Sequence, residues 1–317
     1  MPECSIPPHF HFVYALLPDA PFGLVHYLAV RSAADLHPGA SVTLHHAHEP
    51  DAQGQGWWAA AKALLQLRRV EVPLHIHGRP LRHHAHQADV LRLQILLEHG
   101  GIYLDMDTIV VRPLLPAQLQ TTAALLGIQD SPRVYAGSTR AHARTRFYGL
   151  CNAVVGAAPG SPFVARWLAS YDSFNGSLWD MHSVRMPAEL YEAACPGGAC
   201  PPAWPGQRDC SLVRVLDADV FFTPLWNTVE ADLFSGNRSH RCGFRACSFA
   251  DFPHSRVIHL WASHTETVYS ARLRNLAVER GWFRHTFYGE LARRHIRLAS
   301  VVSEGFGCFR PLARSRV

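Results

Sequence analysis

The division into hydrophobic and polar positions is sharpest between residues 88 and 107. Apolar residues recur there at intervals of three and four, which predicts a helix over Ala88–His99. Gly100-Gly101 predicts the end of that helix, because glycine readily takes the left-handed backbone conformation that closes helices. An apolar strand, Ile102–Leu104, is predicted next, and it runs directly into the acidic sequence Asp105-Met106-Asp107.

The rest of the chain alternates predicted strands with predicted helices. Strands are predicted at Ile6–Tyr14, Val42–His48, Ala123–Ile128, from Asn152 onward, and at Val213–Thr223. Helices are predicted at Pro21–Leu36, at Trp57–Leu67 and from Ser161 onward, and helices with basic faces are expected after Tyr269. This alternation is typical of an α/β fold with a largely parallel sheet flanked by helices.

Composition narrows the function without naming it. The chain has 317 residues, of which 48% are hydrophobic, enough for a full core. The formal net charge of +5 is mild, and the basic residues form no run. We therefore expect no nucleic-acid partner, and a surface that would suit an anionic small molecule.

Asp105 and Asp107 carry the strongest chemical signal. We expect the strand to run through them, which places both side chains on one face and turns Met106 into the core. Two such carboxylates repel each other, and the pair persists mainly where a cation compensates. Carboxylate oxygens suit a hard divalent ion, Mg²⁺ or Mn²⁺, bound together with the phosphates of a substrate. A D-x-D sequence alone is weak evidence, but the preceding helix, glycine pair and strand make it specific.

A histidine-based metal site is the alternative in the segment before this helix. The histidines there are His75, His77, His83, His84 and His86. Their spacing offers no helical i, i+4 pair beside a carboxylate base, so we do not predict that they bind zinc or copper.

The segment around the two aspartates resembles a known family pattern, A-x-x-S-D-x-x-R-x-x-x-L-x-x-x-G-G-x-Y-x-D-x-D. The matching positions are Ala85, Asp89, Arg92, Leu96, Gly100, Gly101, Tyr103, Asp105 and Asp107, with Ala88 in place of the serine. This is the sugar-binding region with a D-x-D motif found in α-1,4-galactosyltransferases, fungal initiating mannosyltransferases and clostridial glucosylating toxins. The resemblance implies that the final aspartates hold a divalent metal against a nucleotide-sugar diphosphate. It also implies that Asp89 and Arg92, which share a helix face at i and i+3, contact the sugar and ribose.

Three more elements resemble the same family. Tyr14 ends a first strand like the one whose terminal aromatic stacks on the nucleotide base, although tryptophan is usual there. Asn152 opens an N-x-x-x-x-A-x-x-G-x-P-F element and is a candidate for substrate contact. His259 and Ser263 match a closing H-x-x-x-S-W element, with His264 in place of its tryptophan. There, the resemblance implies a metal or diphosphate contact for His259 and a phosphate contact for Ser263.

The resemblance implies a GT-A type catalytic domain over residues 1–270, with a Cys/Pro-rich excursion near 195–250 and a helical extension of the same domain over 271–317. Asp180 and His182 fall in its loosely matching acceptor region. The expected activity is Mn²⁺- or Mg²⁺-dependent, retaining transfer of a hexose from UDP-galactose or UDP-glucose to a glycan, lipid or protein. A GDP-mannose-dependent mannosyltransferase, a nucleotide-sugar hydrolase and an inactive sugar-binding protein stay open as alternatives.

Cysteines and glycosylation sequons bear on localisation. Eight cysteines and the sequons at Asn175 and Asn237 favour the oxidising secretory lumen, such as the Golgi, with the cytoplasm as the alternative. Disulfides are expected among Cys195, Cys200, Cys210, Cys242 and Cys247, with the pairing left open. We see neither a signal peptide nor an apolar run of ~20 residues, so membrane association would depend on an anchor outside this sequence.

Overall fold

Strands and helices alternate along the chain in the computed structural model, which describes residues 5–50, 56–114, 122–129, 148–195, 213–262, 265 and 285–296. The described strands are β1 (His9–Val13), β2 (Ser41–His46), β3 (Gln66–Arg69), β4 (His75–Ile76), β5 (Arg79–Pro80), β6 (Gly101–Leu104), β7 (Thr108–Val110), β8 (Ala124–Ile128), β9 (Leu150–Ala157), β10 (Val213–Leu216) and β11 (Val257–His259). The described α-helices are α1 (Leu24–Leu36), α2 (Trp57–Lys62), α3 (His84–His99), α4 (Pro162–Ala169), α5 (Met186–Ala194), α6 (Ala218–Phe221), α7 (Val229–Phe234) and α8 (Phe287–His295).

One mixed sheet organises the fold, with the strand order β10–β8–β9–β6–β1–β2–β3. Strands β6, β1, β2 and β3 run parallel to one another, and β8 runs parallel to β10. Only β9 is antiparallel to its neighbours in this sheet, β6 and β8. The predicted α/β fold, with a mostly parallel sheet flanked by helices, is confirmed.

Each face of the sheet has its own hydrophobic core. Helix α1 packs with the antiparallel pair β7–β11, and Leu28, Ile109 and Ile258 lie in one buried cluster. Helices α3, α4 and α5 share a second cluster, which includes Leu93 and Trp167. The sheet is therefore covered on both sides, as a largely parallel sheet requires.

Two predicted elements differ from the structure. The helix predicted at Trp57–Leu67 ends at Lys62, and Gln66–Arg69 instead forms strand β3. All four side chains of β3 are exposed at the sheet edge, so no hydrophobic pattern marks it. The strand predicted at Val213–Thr223 stops at Leu216, because its partner β8 ends one residue beyond the last pair, and helix α6 follows.

The two glycines between α3 and β6 meet steric requirements that only glycine satisfies. Both have positive φ angles, 65° at Gly100 and 100° at Gly101. A Cβ at Gly100 would lie 2.5 Å from the Pro159 ring, and one at Gly101 would lie 2.4 Å from the His9 carbonyl oxygen. The helix can therefore turn directly into the central strand only with glycine at both positions.

The cysteine prediction is confirmed for one pair, since Cys242 and Cys247 form a disulfide. Cys195 is also disulfide-bonded, and Cys200 and Cys210 lie outside the described residues. No helix among the described residues combines the length and apolarity needed to cross a bilayer. Of the predicted C-terminal helices, α8 lies in the described part and carries Arg293, Arg294 and His295 in its last turn. The predicted domain limits stay a prediction.

Candidate functional site

The two aspartates lie in a tight turn directly after the central strand. Strand β6 ends at Leu104, and the Thr108 N–H and hydroxyl both bind the Asp105 carbonyl, at 3.1 and 2.7 Å. The expectation that the strand runs through Asp105 and Asp107 is therefore wrong, because the chain turns there to enter β7. Met106 is nevertheless buried as expected, and the turn still brings both carboxylates to the same side.

Asp107 is held by the segment that follows strand β11. Its Oδ1 lies 3.3 Å from His259 Nε2, and its Oδ2 accepts a 2.7 Å hydrogen bond from the Ala262 N–H. The Leu260 N–H also donates to the Asp107 carbonyl, at 2.9 Å. Burial favours the neutral carboxyl, but the His259 ring and the Ala262 N–H outweigh it and lower the pKa of Asp107. The carboxylate is therefore ionised at neutral pH.

Asp105, Asp107 and His259 fit a divalent metal. One ligand atom from each of the three residues lies within 4.8 Å of the other two. Asp105 Oδ1 is already hydrogen-bonded, but its Oδ2 accepts nothing from the described residues and is available as a ligand. Carboxylate oxygens and one imidazole nitrogen form a donor set that suits a borderline-hard divalent ion.

A buried charge network connects helix α3 to Asp105. Arg92 is 5% exposed, and its guanidinium lies 3.1 Å from Asp89 Oδ1 and 3.1 Å from Asp105 Oδ1. The Asn152 amide donates to Asp89 at 2.7 Å, and the Tyr103 hydroxyl donates to Asp105 at 2.7 Å. Burial disfavours charge on Arg92, but Asp105 and its other partners outweigh it and raise the pKa of Arg92 above its usual range. Burial raises the pKa of Asp89, which Arg92 and Asn152 oppose.

Tyr14 lies on the same edge of the sheet as the aspartate turn. It directly follows β1, and β1 and β6 are adjacent parallel strands whose carboxyl ends both reach this edge. The Tyr14 hydroxyl donates to the Pro21 carbonyl at 2.5 Å, and the ring lies 4.5 Å from the His26 ring. The edge beyond the carboxyl ends of parallel strands is where α/β folds bind their ligands.

The aspartate turn lies in a region that matches a known family model. Residues 26–125 match the family model described as a glycosyltransferase sugar-binding region containing the DXD motif. The chain therefore contains a region similar to the glycosyltransferase sugar-binding region. Over 234 residues the chain is 37% identical to glucan organizing enzyme 1 of Cryptococcus neoformans var. grubii, covering 71% of this chain and 56% of the relative. The chain thus spans about half the length of that relative.

Solved glycosyltransferases are more distant. The PaToxG glycosyltransferase is 15% identical, with a TM-score of 0.41 over 62% of this chain and 72% of that one. The galactosyltransferase LgtC, crystallised with donor and acceptor sugar analogues, is 13% identical, with a TM-score of 0.43 over 92% of this chain and 97% of that one.

The candidate site gathers most of the residues that the sequence singled out. Asp105, Asp107 and His259 converge directly, and Asp89, Arg92 and Asn152 join them through the buried network. Tyr14 lies along the same edge. Ser263 and His264 lie outside the described residues.

Asp180 and His182 are engaged in local contacts of their own. Asp180 pairs with Arg185 at 2.7 Å and accepts a hydrogen bond from the Tyr148 hydroxyl. His182 is buried against the Tyr171 ring, and its Nε2 lies 3.2 Å from the Ser170 carbonyl. The five histidines between positions 75 and 86 contribute to no cluster of three metal ligands in the described part of the chain.

Sequence reasoning missed several residues that position this site. His11 links the sheet to the glycine turn, because its Nε2–H donates to the Gly100 carbonyl at 3.0 Å while its Nδ1 lies 3.1 Å from His45 Nε2. Trp261 holds the loop that binds Asp107, with its ring 4.1 Å from the His259 ring. The strands that carry His11 and His45 were both predicted, but their pairing was not.

Proposed function

We propose that this chain is a metal-dependent, retaining glycosyltransferase that moves a hexose from UDP-galactose or UDP-glucose to a glycan, lipid or protein acceptor. The observation that carries the proposal is the convergence of His259 with Asp105 and Asp107, the two aspartates of the DXD family region, at the ligand-binding edge of the sheet. His259 comes from a strand far along the chain, so this convergence is not a consequence of the local sequence.

Mn²⁺ is the proposed ion, with Mg²⁺ second. Mg²⁺ favours all-oxygen ligation, whereas the described donor set includes the His259 imidazole. When bound, such an ion neutralises the diphosphate of a nucleotide sugar as the glycosidic bond breaks. Asp105 Oδ2, Asp107 and His259 Nε2 would hold it.

The protein side chains would orient the donor around this centre. Tyr14 would stack on the base, since an anchored ring keeps its face in place. Asp89, Arg92 and Asn152 would shape the hexose and ribose pocket, and the buried ion pair would fix Asp105 for metal binding. Ser263 is proposed to contact phosphate. Asp89 is already paired with Arg92 and Asn152, so we assign the role of base to the leaving diphosphate in a front-face, retaining transfer.

A glycan is the acceptor class we propose first, because the name of the fungal relative refers to glucan. We also propose that the protein works in the secretory lumen, and the Cys242–Cys247 disulfide supports that compartment.

The test is transfer of radiolabelled hexose from UDP-galactose, UDP-glucose and GDP-mannose to a panel of glycan acceptors with Mn²⁺ present or chelated. We expect one UDP-hexose to be transferred with Mn²⁺ only, and Asp107→Asn to abolish transfer. Asp251→Asn is the matched control, since Asp251 is a carboxylate outside the cluster of Asp105, Asp107 and His259 and is paired with Arg245.

The alternatives give different results. Metal-dependent release of free hexose without any acceptor product would identify a hydrolase. Preference for GDP-mannose would show that the donor is GDP-mannose and not a UDP-hexose. Absence of nucleotide binding in the folded protein would contradict the proposal and indicate a non-catalytic protein.

A further inference from the structure

His26 lies in the first turn of α1, between Tyr14 and the aspartate turn. Its ring lies 4.5 Å from the Tyr14 ring and 5.3 Å from the Phe22 ring. Asp107 is close enough for its charge to act on the imidazole. The histidine therefore lies against the residue proposed to stack on the base and within electrostatic range of one residue proposed to hold the metal.

A single hydrogen bond fixes the tautomer of His26. The Gly23 N–H donates to His26 Nδ1 at 3.0 Å, at the start of α1. A backbone N–H can only donate, so Nδ1 carries no proton. Burial lowers the pKa of His26 to about 4, more than the charge of Asp107 raises it, so the ring is neutral at physiological pH. The proton of the neutral ring must then lie on Nε2.

The Nε2–H of His26 is an unused donor. Within the described part of the chain, the hydrogen bond from Gly23 is the only one that the His26 ring makes. His26 is half-buried, and its Nε2 is not fully buried, so this nitrogen is reachable from outside the protein. A fixed donor that points to accessible space beside a ligand site is positioned to bind the ligand.

We propose that His26 is a donor-binding residue whose Nε2–H donates a hydrogen bond to a diphosphate oxygen of the nucleoside diphosphate. The inference rests on the proposed function, because it requires a nucleotide held between Tyr14 and Asp107. The positive end of the α1 dipole favours an anionic oxygen over a ribose hydroxyl, since no acidic residue lies in the first turn of α1, and a metal held by Asp107 would offset the charge of that carboxylate. A neutral N–H also adds no positive charge that would compete with the metal.

Two substitutions with side chains of similar length distinguish the loss of the N–H donor from the loss of the packing of the ring. His26→Gln keeps an N–H donor, and glutamine at this helix position can also accept the Gly23 N–H. His26→Met fills similar space without a donor. The affinities of the parent and both variants for UDP and for inorganic pyrophosphate would be measured by calorimetry at saturating Mn²⁺, together with melting temperatures.

We expect His26→Met to lose about tenfold or more in affinity for both ligands, because hydrogen bonds to charged groups contribute about 1.5–3 kcal/mol. His26→Gln should stay within about threefold of the parent. Equal affinity in all three proteins, or an equal loss in both variants, would overturn the inference. Loss for UDP with pyrophosphate unaffected would move the contact to the nucleoside and refute the phosphate assignment. A folded parent that binds neither ligand would refute the proposed function itself.

Discussion

The Arg92 guanidinium lies 3.1 Å from Asp105 Oδ1 and 3.1 Å from Asp89 Oδ1, so one buried cation joins helix α3 to the aspartate turn. The Arg92 side chain is 6% exposed and the Asp89 side chain 9%, whereas that of Asp105 is 27% exposed. The network thus fixes Asp105 Oδ1 and leaves Oδ2 for a ligand. The D-x-x-R spacing of the family pattern has a structural role in addition to the sugar contact that the resemblance implies.

Arg92→Ala should destabilise the protein strongly. It would leave Asp89 without a counter-ion in the interior, and breaking a buried pair in this way costs about 3–5 kcal/mol. Arg92→Lys should cost less, because it keeps the charge but cannot contact both carboxylates with a planar fork. Urea unfolding would measure both, with Arg69→Ala on the exposed strand β3 as the control. Equal stability of parent and Arg92→Ala would show that the network has no structural role.

Gly101→Ala should be far more damaging than Gly160→Ala. Both glycines have positive φ, 100° and 67°, so each alanine pays a similar backbone cost of about 1 kcal/mol. A Cβ at Gly160 meets nothing within 4 Å, but one at Gly101 lies 2.4 Å from the His9 carbonyl oxygen in the adjacent strand. Thermal unfolding of the two variants should differ by several degrees or more. Similar melting temperatures would mean that strands β1 and β6 can separate without cost.

The sequence predicted the centre of the site because its signals are local. Helix, glycine pair, strand and aspartates follow one another within a single stretch, and each is set by neighbours along the chain. The turn at Asp105 was missed, because the choice between extending β6 and turning depends on the Thr108 hydroxyl and the β7–β11 pairing. His26 and Trp261 were also missed, since their roles depend on contacts with residues distant in sequence.

Elements of the fold were likewise predicted where the signal is local and missed where it depends on pairing between distant strands. Buried strands and amphipathic helices were predicted from their periodicity, and α1, α3 and β9 appear close to their expected positions. Strand β3 was not predicted, because its four exposed side chains carry no apolar pattern and its extended form depends on pairing with β2. The end of β10 is likewise set by the length of β8 and not by its own residues.

Two buried histidines should make the stability depend on pH below neutrality. Burial lowers the pKa of His11 from 6.5 to about 4 and that of His45 to about 3. The unfolded state then binds more protons between pH 6.5 and 4, so stability is complete above pH 6.5 and falls as the pH decreases through this window. The loss per histidine should be on the order of 3 kcal/mol.

His45→Gln provides the comparison for this effect. Glutamine does not titrate, and its amide can donate to His11 Nδ1 as the His45 Nε2–H does. Chemical unfolding from pH 7.5 to 4.5 should therefore show a shallower decline for His45→Gln than for the parent. Parallel curves would mean that other groups account for the acid sensitivity.

The last prediction concerns Trp261, which supports the proposed metal ligands without being one of them. Its φ angle is 52°, a strained conformation for a bulky residue, and the next N–H donates to Asp107 Oδ2. The ring packs 4.1 Å from the His259 ring, and its Nε1–H donates to the Pro224 carbonyl at 2.8 Å. The indole therefore holds both the backbone donor and the imidazole in place around the same carboxylate.

Trp261→Gly should relieve the backbone strain but remove the support of His259. Loss of a residue that orients metal ligands typically costs about 10–100-fold in metal affinity. Trp261→Phe should lose less, because a ring remains against His259 although the bond to Pro224 is gone. Mn²⁺ titration of both variants, followed by electron paramagnetic resonance with His259→Ala as the reference, measures the difference. If Trp261→Gly bound Mn²⁺ as tightly as the parent, the loop would hold its geometry through the backbone alone, and the indole would have no part in ordering the site.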